Sequence, residues 1–311
     1  MNDCYRHAYM IIAYNQWDLL EILISLLDDE RNDIYIHINK LIENVPFDHI
    51  KGLSKKSKIT FVDRVAICRG TYSVFDAEMV LLKKAIKGGY RYYHLLSGQD
   101  LPLKDQDYIH NFFLKYDGCN FIDVVPKNEM KRNWYERASL YQFFIPSVLS
   151  SSERNKTFSH LNGICNSFQR LIGINRFRRY EKQGYEMYYG SSWFSITDEF
   201  AKFVVSEEKK IKEMYEKFTF IPEESIMQTI LMASTFRQTL FEEEWIDHKL
   251  NRQNLRGIIW TGKTSPETIT LELVDRVMNS HNLFARKFDI NNCPEAVNKT
   301  VEMVLESGKE V

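Results

Sequence analysis

The sequence predicts an α/β fold with a mostly parallel central sheet flanked by helices, and three observations predict it. Short apolar runs alternate with helical segments from the start of the chain to Val125, which is the pattern of a parallel sheet. The run Tyr92-Tyr93-His94-Leu95-Leu96 ends abruptly in Ser97-Gly98-Gln99-Asp100-Leu101-Pro102, as a buried strand does when it delivers a carboxylate to a cleft beyond its carboxyl end. A chain of 311 residues, 44% of them hydrophobic, is long enough to bury the core this requires.

The elements follow in order. His7 to Tyr14 reads as the first strand, and Trp17 to Leu27 repeats Leu19, Leu20, Ile22, Leu23, Leu26 and Leu27 at helical spacing. Ile34 to Ile38 forms a second strand ending in Asn39-Lys40, and Ile59 to Val62 a third. A helix starts at Ser73, carries Val74, Ala77, Val80, Leu81, Leu82 and Ala85, and stops at Gly88-Gly89. After the strand Tyr92 to Leu96, Asp105 is placed as the N-cap of a helix running to about Tyr116, and Asn120 to Val125 reads as a further strand. From Lys127 to Lys182 the chain holds eleven Lys or Arg against four acids (Glu129, Glu136, Glu153, Glu181), mixed with Phe, Leu and Ile. That segment reads either as a solvated helical insertion or as a surface for anionic lipid or a phosphate-bearing acceptor. Ser192 to Ile196 is a strand, and Pro222-Glu223-Glu224-Ser225 opens an amphipathic helix with Ile226, Ile230 and Leu231 on one face.

Several function classes fall away. A net charge of −1 offers no general basic excess for nucleic acid. Cys4, Cys68, Cys119, Cys165 and Cys293 are scattered with no C-x-x-C pair, which fits a reducing cytosol rather than a disulfide framework or a zinc site. No stretch approaches the ~20 apolar residues of a membrane span, and the run Tyr9 to Tyr14 comes too early for a signal peptide. The G-x-S-x-G, Walker and G-x-G-x-x-G patterns are missing from the sequence. His7, His37 and His94 sit on separate strands without ligand spacing, as core histidines do.

Three places hold side chains able to do chemistry. Glu223 and Glu224, in a first helical turn, either complement the helix dipole or supply a general base for an acceptor hydroxyl. Arg256, heading Gly257-Ile258-Ile259-Trp260, and Arg286-Lys287 are salt-bridge partners or, if two of them converge, a diphosphate site in which Arg supplies a planar fork and Lys a point charge. Asp105-Gln106-Asp107 spells an Asp-x-Asp that some sugar transferases use for Mn²⁺ or Mg²⁺, but its place at a helix start suits capping. The 14% aromatic content suits sugar faces as well as cores.

Taken together, these pieces resemble the core-2/I-branching β-1,6-N-acetylglucosaminyltransferase and peptide O-xylosyltransferase family, glycosyltransferase family 14, in the form of a bacterial member. They occur in family order over nearly the whole chain: His7-Ala8-Tyr9-Met10-Ile11-Ile12, Ile36-His37-Ile38-Asn39, Arg69-Gly70-Thr71-Tyr72-Ser73, Leu96 to Leu103, Gly190-Ser191-Ser192-Trp193-Phe194, Pro222-Glu223-Glu224, Leu255-Arg256 and Leu283 to Asp289. The resemblance implies a GT-A-like (Rossmann-like) single domain over 1–311, with a nucleotide-sugar-binding half at 1–125, a basic helical insertion at 127–182 and an acceptor and catalytic half at 184–311. It implies an inverting enzyme that uses a UDP-sugar, UDP-GlcNAc first, without a metal or other cofactor. The catalytic base falls on Glu224, with Glu223 in place of the family's Asp. The diphosphate contacts fall on Arg256 and Lys287. Asp100 and Gly98 shape the donor pocket, and His37 and Asn39 lie on the nucleoside side, Asn39 replacing the usual Asp. Trp193, Arg137 and Glu223 are the acceptor-side contacts, and Arg69 stands where many members carry Trp. The expected partners are the donor and a glycan acceptor, lipid-linked in surface polysaccharide or O-antigen assembly, for a cytoplasmic protein peripheral to the membrane.

Overall fold

The computed structural model describes residues 5–145, 152–261 and 265–308. Cys4, part of the 127–182 segment, and the side chains of Glu153 and Arg154 lie outside the described residues. The elements run β1 (His7–Ala13), α1 (Trp17–Leu27), β2 (Asn32–Ile38), α2 (Phe47–Lys51), β3 (Lys58–Phe61), α3 (Ser73–Ala85), β4 (Tyr92–Ser97), β5 (Leu101–Pro102), α4 (Gln106–Lys115) and β6 (Phe121–Ile122). They continue with α5 (Arg132–Ser139), α6 (Ser152–Leu171), α7 (Arg178–Glu181), β7 (Phe194–Thr197), α8 (Asp198–Ser206), α9 (Glu208–Tyr215), α10 (Ile226–Met232), β8 (Arg256–Ile258), α11 (Leu271–Met278), β9 (Phe284–Arg286) and α12 (Pro294–Ser307).

The main sheet has the order β3-β2-β1-β4-β7-β6, parallel through its first four strands and antiparallel at β7 and β6. β1 is buried along its whole length because it is covered on both faces. Tyr9, Ile11 and Ala13 meet α1, α4, α11 and α12 on one side, and Ala8, Met10 and Ile12 meet α3, α8, α9 and α10 on the other. In α1, six of eleven residues (Leu19, Leu20, Leu23, Ile24, Leu26, Leu27) are buried, each worth about 1.5–3 kcal/mol of apolar transfer. α4 starts where the sequence places it, because the Asp105 carboxylate accepts from Tyr108 N at 2.8 Å.

Two elements are shorter than their sequence patterns. Of Asn120 to Val125 only Phe121–Ile122 pairs with β7, because neighbouring backbone groups are engaged elsewhere: Asn120 N by Thr239 O (2.6 Å), Val124 N by the Gln253 side chain (2.8 Å) and Val125 N by Tyr189 O (2.8 Å). Pro222–Glu224 makes a single 3₁₀ turn and α10 begins only at Ile226. The break falls at Ser225, whose φ of −137° leaves the helix and whose hydroxyl donates to Tyr188 O at 2.7 Å.

The basic segment folds against its own cations. Arg132 and Arg170 both bind Glu136, Lys127 binds Glu186, Arg137 binds Glu224, and Arg176 donates to Ala138 O, Met214 O and Thr219 Oγ1. Among the described residues Cys68, Cys119, Cys165 and Cys293 are free thiols, and no helix is long and apolar enough to cross a membrane.

Candidate active site

The parallel order reverses direction between β1 and β4, and a crevice opens beyond the carboxyl ends of strands at such a point. There the Tyr14 hydroxyl, just past β1, donates to Gln99 Oε1, just past β4, at 2.9 Å. Gly98 is needed for packing: a Cβ there would stand 3.1 Å from Ala13 Cβ. Asp100 is fully buried. Its carboxylate accepts from Ser97 N at 3.1 Å and from the Ser97 hydroxyl, and it lies 3.3 Å from Arg286 Nε.

A second, three-stranded sheet brings the C-terminal cations to this turn. β5 pairs antiparallel with β9, Leu101 opposite Ala285, and Phe288 N donates to Gln99 O at 2.9 Å. The Arg286 guanidinium is held between Asp100 and the Trp193 ring, 4.1 Å from the ring centroid, with 14% of its side chain exposed. Lys287 follows it, half-buried, with its ammonium pushed below the usual lysine range by burial and by Arg286. Arg69 presses electrostatically on Arg286, Lys287 and Glu223, so three cations and the Glu223-Glu224 pair share one region.

The structure corrects the expectation for Arg256. That side chain is fully buried: Nη1 donates to Ser195 Oγ (2.8 Å) and to Asn254 O, Nη2 donates to Phe194 O (2.7 Å) and Leu95 O (3.2 Å), and the group lies 4.8 Å from the Phe284 ring centroid. It ties β4, β7 and β9 together inside the sheet. The arginine at the cleft is Arg286, whose β9 strand runs beside that of Arg256.

His37 and Asn39 likewise have structural work. His37 is buried in β2, and its Nε2 accepts from Val65 N at 2.8 Å, which leaves the proton on Nδ1. Burial pushes its imidazole down to about 4, so it is neutral at physiological pH. Asn39 Oδ1 accepts from Leu41 N and Ile67 N, both at 3.1 Å, pinning the segment that leads to Arg69. The two acids of the Asp-x-Asp are occupied as well, Asp105 by its cap and Asp107 by Arg31 Nη2 at 2.8 Å.

The Glu224 carboxylate is held by two donors on one oxygen. Arg137 Nη1 donates to its Oε2 at 2.6 Å, and the Tyr189 hydroxyl donates to the same oxygen. Arg137 also donates to the Tyr189 oxygen at 3.1 Å, closing a triangle. Burial and the adjacent Glu224 carboxylate raise the Tyr189 phenol well above its ordinary range, so it remains a donor. Trp134 stacks on Tyr189 with 4.3 Å between ring centroids and 14° between planes. Behind Glu224, Gly190 N donates to its backbone O at 2.9 Å, and a Cβ on Gly190 would fall 1.7 Å from Asp123 O. Gly70, at φ +85°, accepts from Ile221 N at 3.0 Å and leaves no space for a side chain against Phe220, which fixes the loop entering Pro222.

Glu223, expected as an acceptor contact, is only 8% exposed. It is buried next to Glu78 of α3, and its carboxyl is raised by burial, with Glu224 adding to the effect, to about 8. Glu78 is raised too, by burial first and then by Glu223, so the two acids hold their protons. Sequence reasoning missed Tyr189 and Trp134. The signal for Tyr189 was its position directly before Gly190-Ser191-Ser192-Trp193, a stretch already singled out.

A mostly parallel sheet whose switch point faces a held carboxylate and convergent cations is the build of a GT-A-like transferase. The chain belongs to the core-2/I-branching enzyme family, whose model matches residues 7–280, and it is a glycosyltransferase. Among solved structures it is similar to that of mouse xyloside xylosyltransferase 1 in the apo form, at 11% identity over 92% of this chain and 98% of that one, with a TM-score of 0.40. No curated protein sequence matches the chain.

Proposed function

We propose that this glycosyltransferase moves a sugar, GlcNAc in the first instance, from a UDP-sugar to a hydroxyl of a glycan acceptor with inversion and without a metal ion. Glu224 takes the proton of the attacking hydroxyl. The acceptor oxygen bonds to C1 as the bond from C1 to the phosphate oxygen breaks, and the charge gathering on the departing UDP is met by Arg286 and Lys287. The observation that carries this reading is the state of Glu224. Both protein donors, Arg137 and Tyr189, converge on Oε2, and Oε1 accepts no hydrogen bond among the described residues. A carboxylate fixed by one oxygen and open at the other suits a base that must meet a substrate proton in one orientation.

Trp193, which packs on Arg286, and the Trp134-Tyr189 stack beside Glu224 are aromatic surfaces of the kind that bind pyranose faces. The engagement of Asp105 in the α4 cap and of one Asp107 oxygen by Arg31 supports the metal-free version. The acceptor is a lipid-linked precursor of a bacterial surface polysaccharide such as O-antigen, reached from the cytoplasmic face of the membrane.

The test is thermal melting with UDP, UDP-GlcNAc, UDP-xylose and UDP-glucose, each in EDTA and in Mg²⁺ or Mn²⁺. A ligand at about 100 times its Kd adds about 2.7 kcal/mol to the native state. A rise in Tm with UDP and with UDP-GlcNAc in EDTA supports the proposal. A rise only with metal moves the donor site to a metal-dependent class, and a larger rise with UDP-xylose changes the sugar.

A further inference from the structure

Helix α6 turns two amides toward the protein: Asn162 Oδ1 accepts from Phe144 N at 3.1 Å, Gln169 Oε1 accepts from Tyr141 N at 2.8 Å, and Gln169 Nε2 donates to Tyr141 O at 3.0 Å. Phe158 and Leu161 are partly buried, Phe158 against Phe144, but a second set of large apolar residues faces outward. Ile164 is 56% exposed, Phe168 61% and Leu171 84%, at the i, i+4, i+7 spacing of one helical stripe, and Ile172 beyond them is 54% exposed. Phe143 and Phe218, 5.5 Å apart by ring centroids, are also exposed, on the segments that α6 packs against or that adjoin them. An apolar patch of this extent on a soluble fold marks a contact surface.

The surrounding charge selects the occupant. Exposed Lys156 lies on α6 itself, and Arg178, Arg179 and Lys182 are exposed on and beside α7, while Lys217, before Phe218, shares its groove with the exposed acids Glu213 and Glu216. A shallow groove along α6, lined by Lys156, Ser159, His160, Gly163, Ile164 and Ser167, sets a cation beside the apolar stripe. A second copy docked here about a two-fold axis would bring these cations against their own equivalents. We infer that this face of α6 docks on an anionic lipid bilayer, with Ile164, Phe168 and Leu171 entering the boundary between headgroups and acyl chains while the lysines and arginines meet lipid phosphates.

This deepens the proposed membrane-side acceptor, but its test needs no sugar donor, so failure here leaves the transfer reading standing, and the converse also holds. The full chain is floated with vesicles of phosphatidylcholine alone or with about one-third phosphatidylglycerol. We expect flotation with the anionic vesicles, weakened by salt, and an about tenfold loss in I164S/F168S/L171S. Since the three side chains already face solvent, the variant should keep its melting temperature and its UDP-induced shift, which separates lost docking from lost folding. Sedimentation in solution is run in parallel. No flotation by the wild type, or flotation unchanged in the variant, overturns the inference. A wild-type dimer that the variant converts to monomer also overturns it and gives the face to a second copy.

Discussion

Arg137, in the last turn of α5, reaches Glu224 across 87 residues of sequence and donates to it at 2.6 Å, with both side chains only about a quarter exposed. The pair joins α5 to the turn that carries Glu224, the base of the proposed reaction. Helix α5 is therefore tied to the candidate site, and Arg137 helps to fix the geometry of Glu224.

Glu224→Gln should lower kcat by about 10²–10⁴-fold, because an amide cannot take the acceptor proton. Binding of UDP-sugar should survive, since Glu224 lies on the acceptor side in the proposed reaction. The check is UDP release under saturating acceptor, set beside the Tm shift with donor. Transfer at the native rate would remove Glu224 from the chemistry.

Tyr189→Phe keeps the stack on Trp134 and deletes one of the two donors to Oε2. We expect kcat to fall on the order of tenfold with little change in the KM for donor, the worth of one hydrogen bond to a charged group. A loss confined to donor KM would show that Tyr189 acts elsewhere.

Arg286→Met and Arg256→Met should fail in different ways. The first removes a cleft cation, so UDP affinity should drop by on the order of 10–100-fold, while Asp100 left without its partner lowers stability by about 3 kcal/mol. The second empties a guanidinium site that four oxygens surround. Its main cost should be stability, with nucleotide affinity retained in whatever fraction folds. Calorimetry with UDP at low temperature, combined with urea melts, separates the two, and equal loss of UDP affinity in both would return Arg256 to the diphosphate.

Glu223→Gln should stabilise the protein in a pH-dependent way. Burial raises the Glu223 carboxyl from its ordinary 4.5 to about 8, so between those values the folded chain holds a proton that the unfolded chain releases. The stability tied to this neutral group is whole below about pH 4.5 and drains away as pH climbs to about 8. The glutamine variant has no proton to lose. It should melt like the wild type near pH 4 and higher above pH 7, by an amount that order-of-magnitude linkage puts at a few kcal/mol.

The parallel half of the fold was readable because strand, turn and cap signals there are local. Helix α1, helix α3 and the Asp105 cap depend on residues within a few positions of each other, and all three stand where the pattern sets them. What escaped the sequence is long-range. Whether Arg256 or Arg286 faces the cleft turns on carbonyls of β4 and β7 that lie 62 to 161 positions away, and a three-residue strand carries no periodicity to decide it. The basic segment reads as a field of free charge because Glu186 and Glu224, which neutralise Lys127 and Arg137, lie outside it. Glu223 and Glu224 are neighbours of identical chemistry, and only the tertiary fold separates them, burying Glu223 and setting Arg137 and Tyr189 against Glu224.

The pairing of β5 with β9 also bears on motion. Leu101 is locked to Ala285, Gln99 O to Phe288 N and Leu103 N to Leu283 O, so the Ser97–Asp100 turn and the strand bearing Arg286 form one stiff body. A donor that nudges the turn must carry Arg286 with it, and a donor that pulls on Lys287 must tug the turn. In the proposed reaction, arrival of the nucleotide and positioning of its phosphates would thus be a single mechanical event, and a probe attached at either end should report the same movement at the same instant.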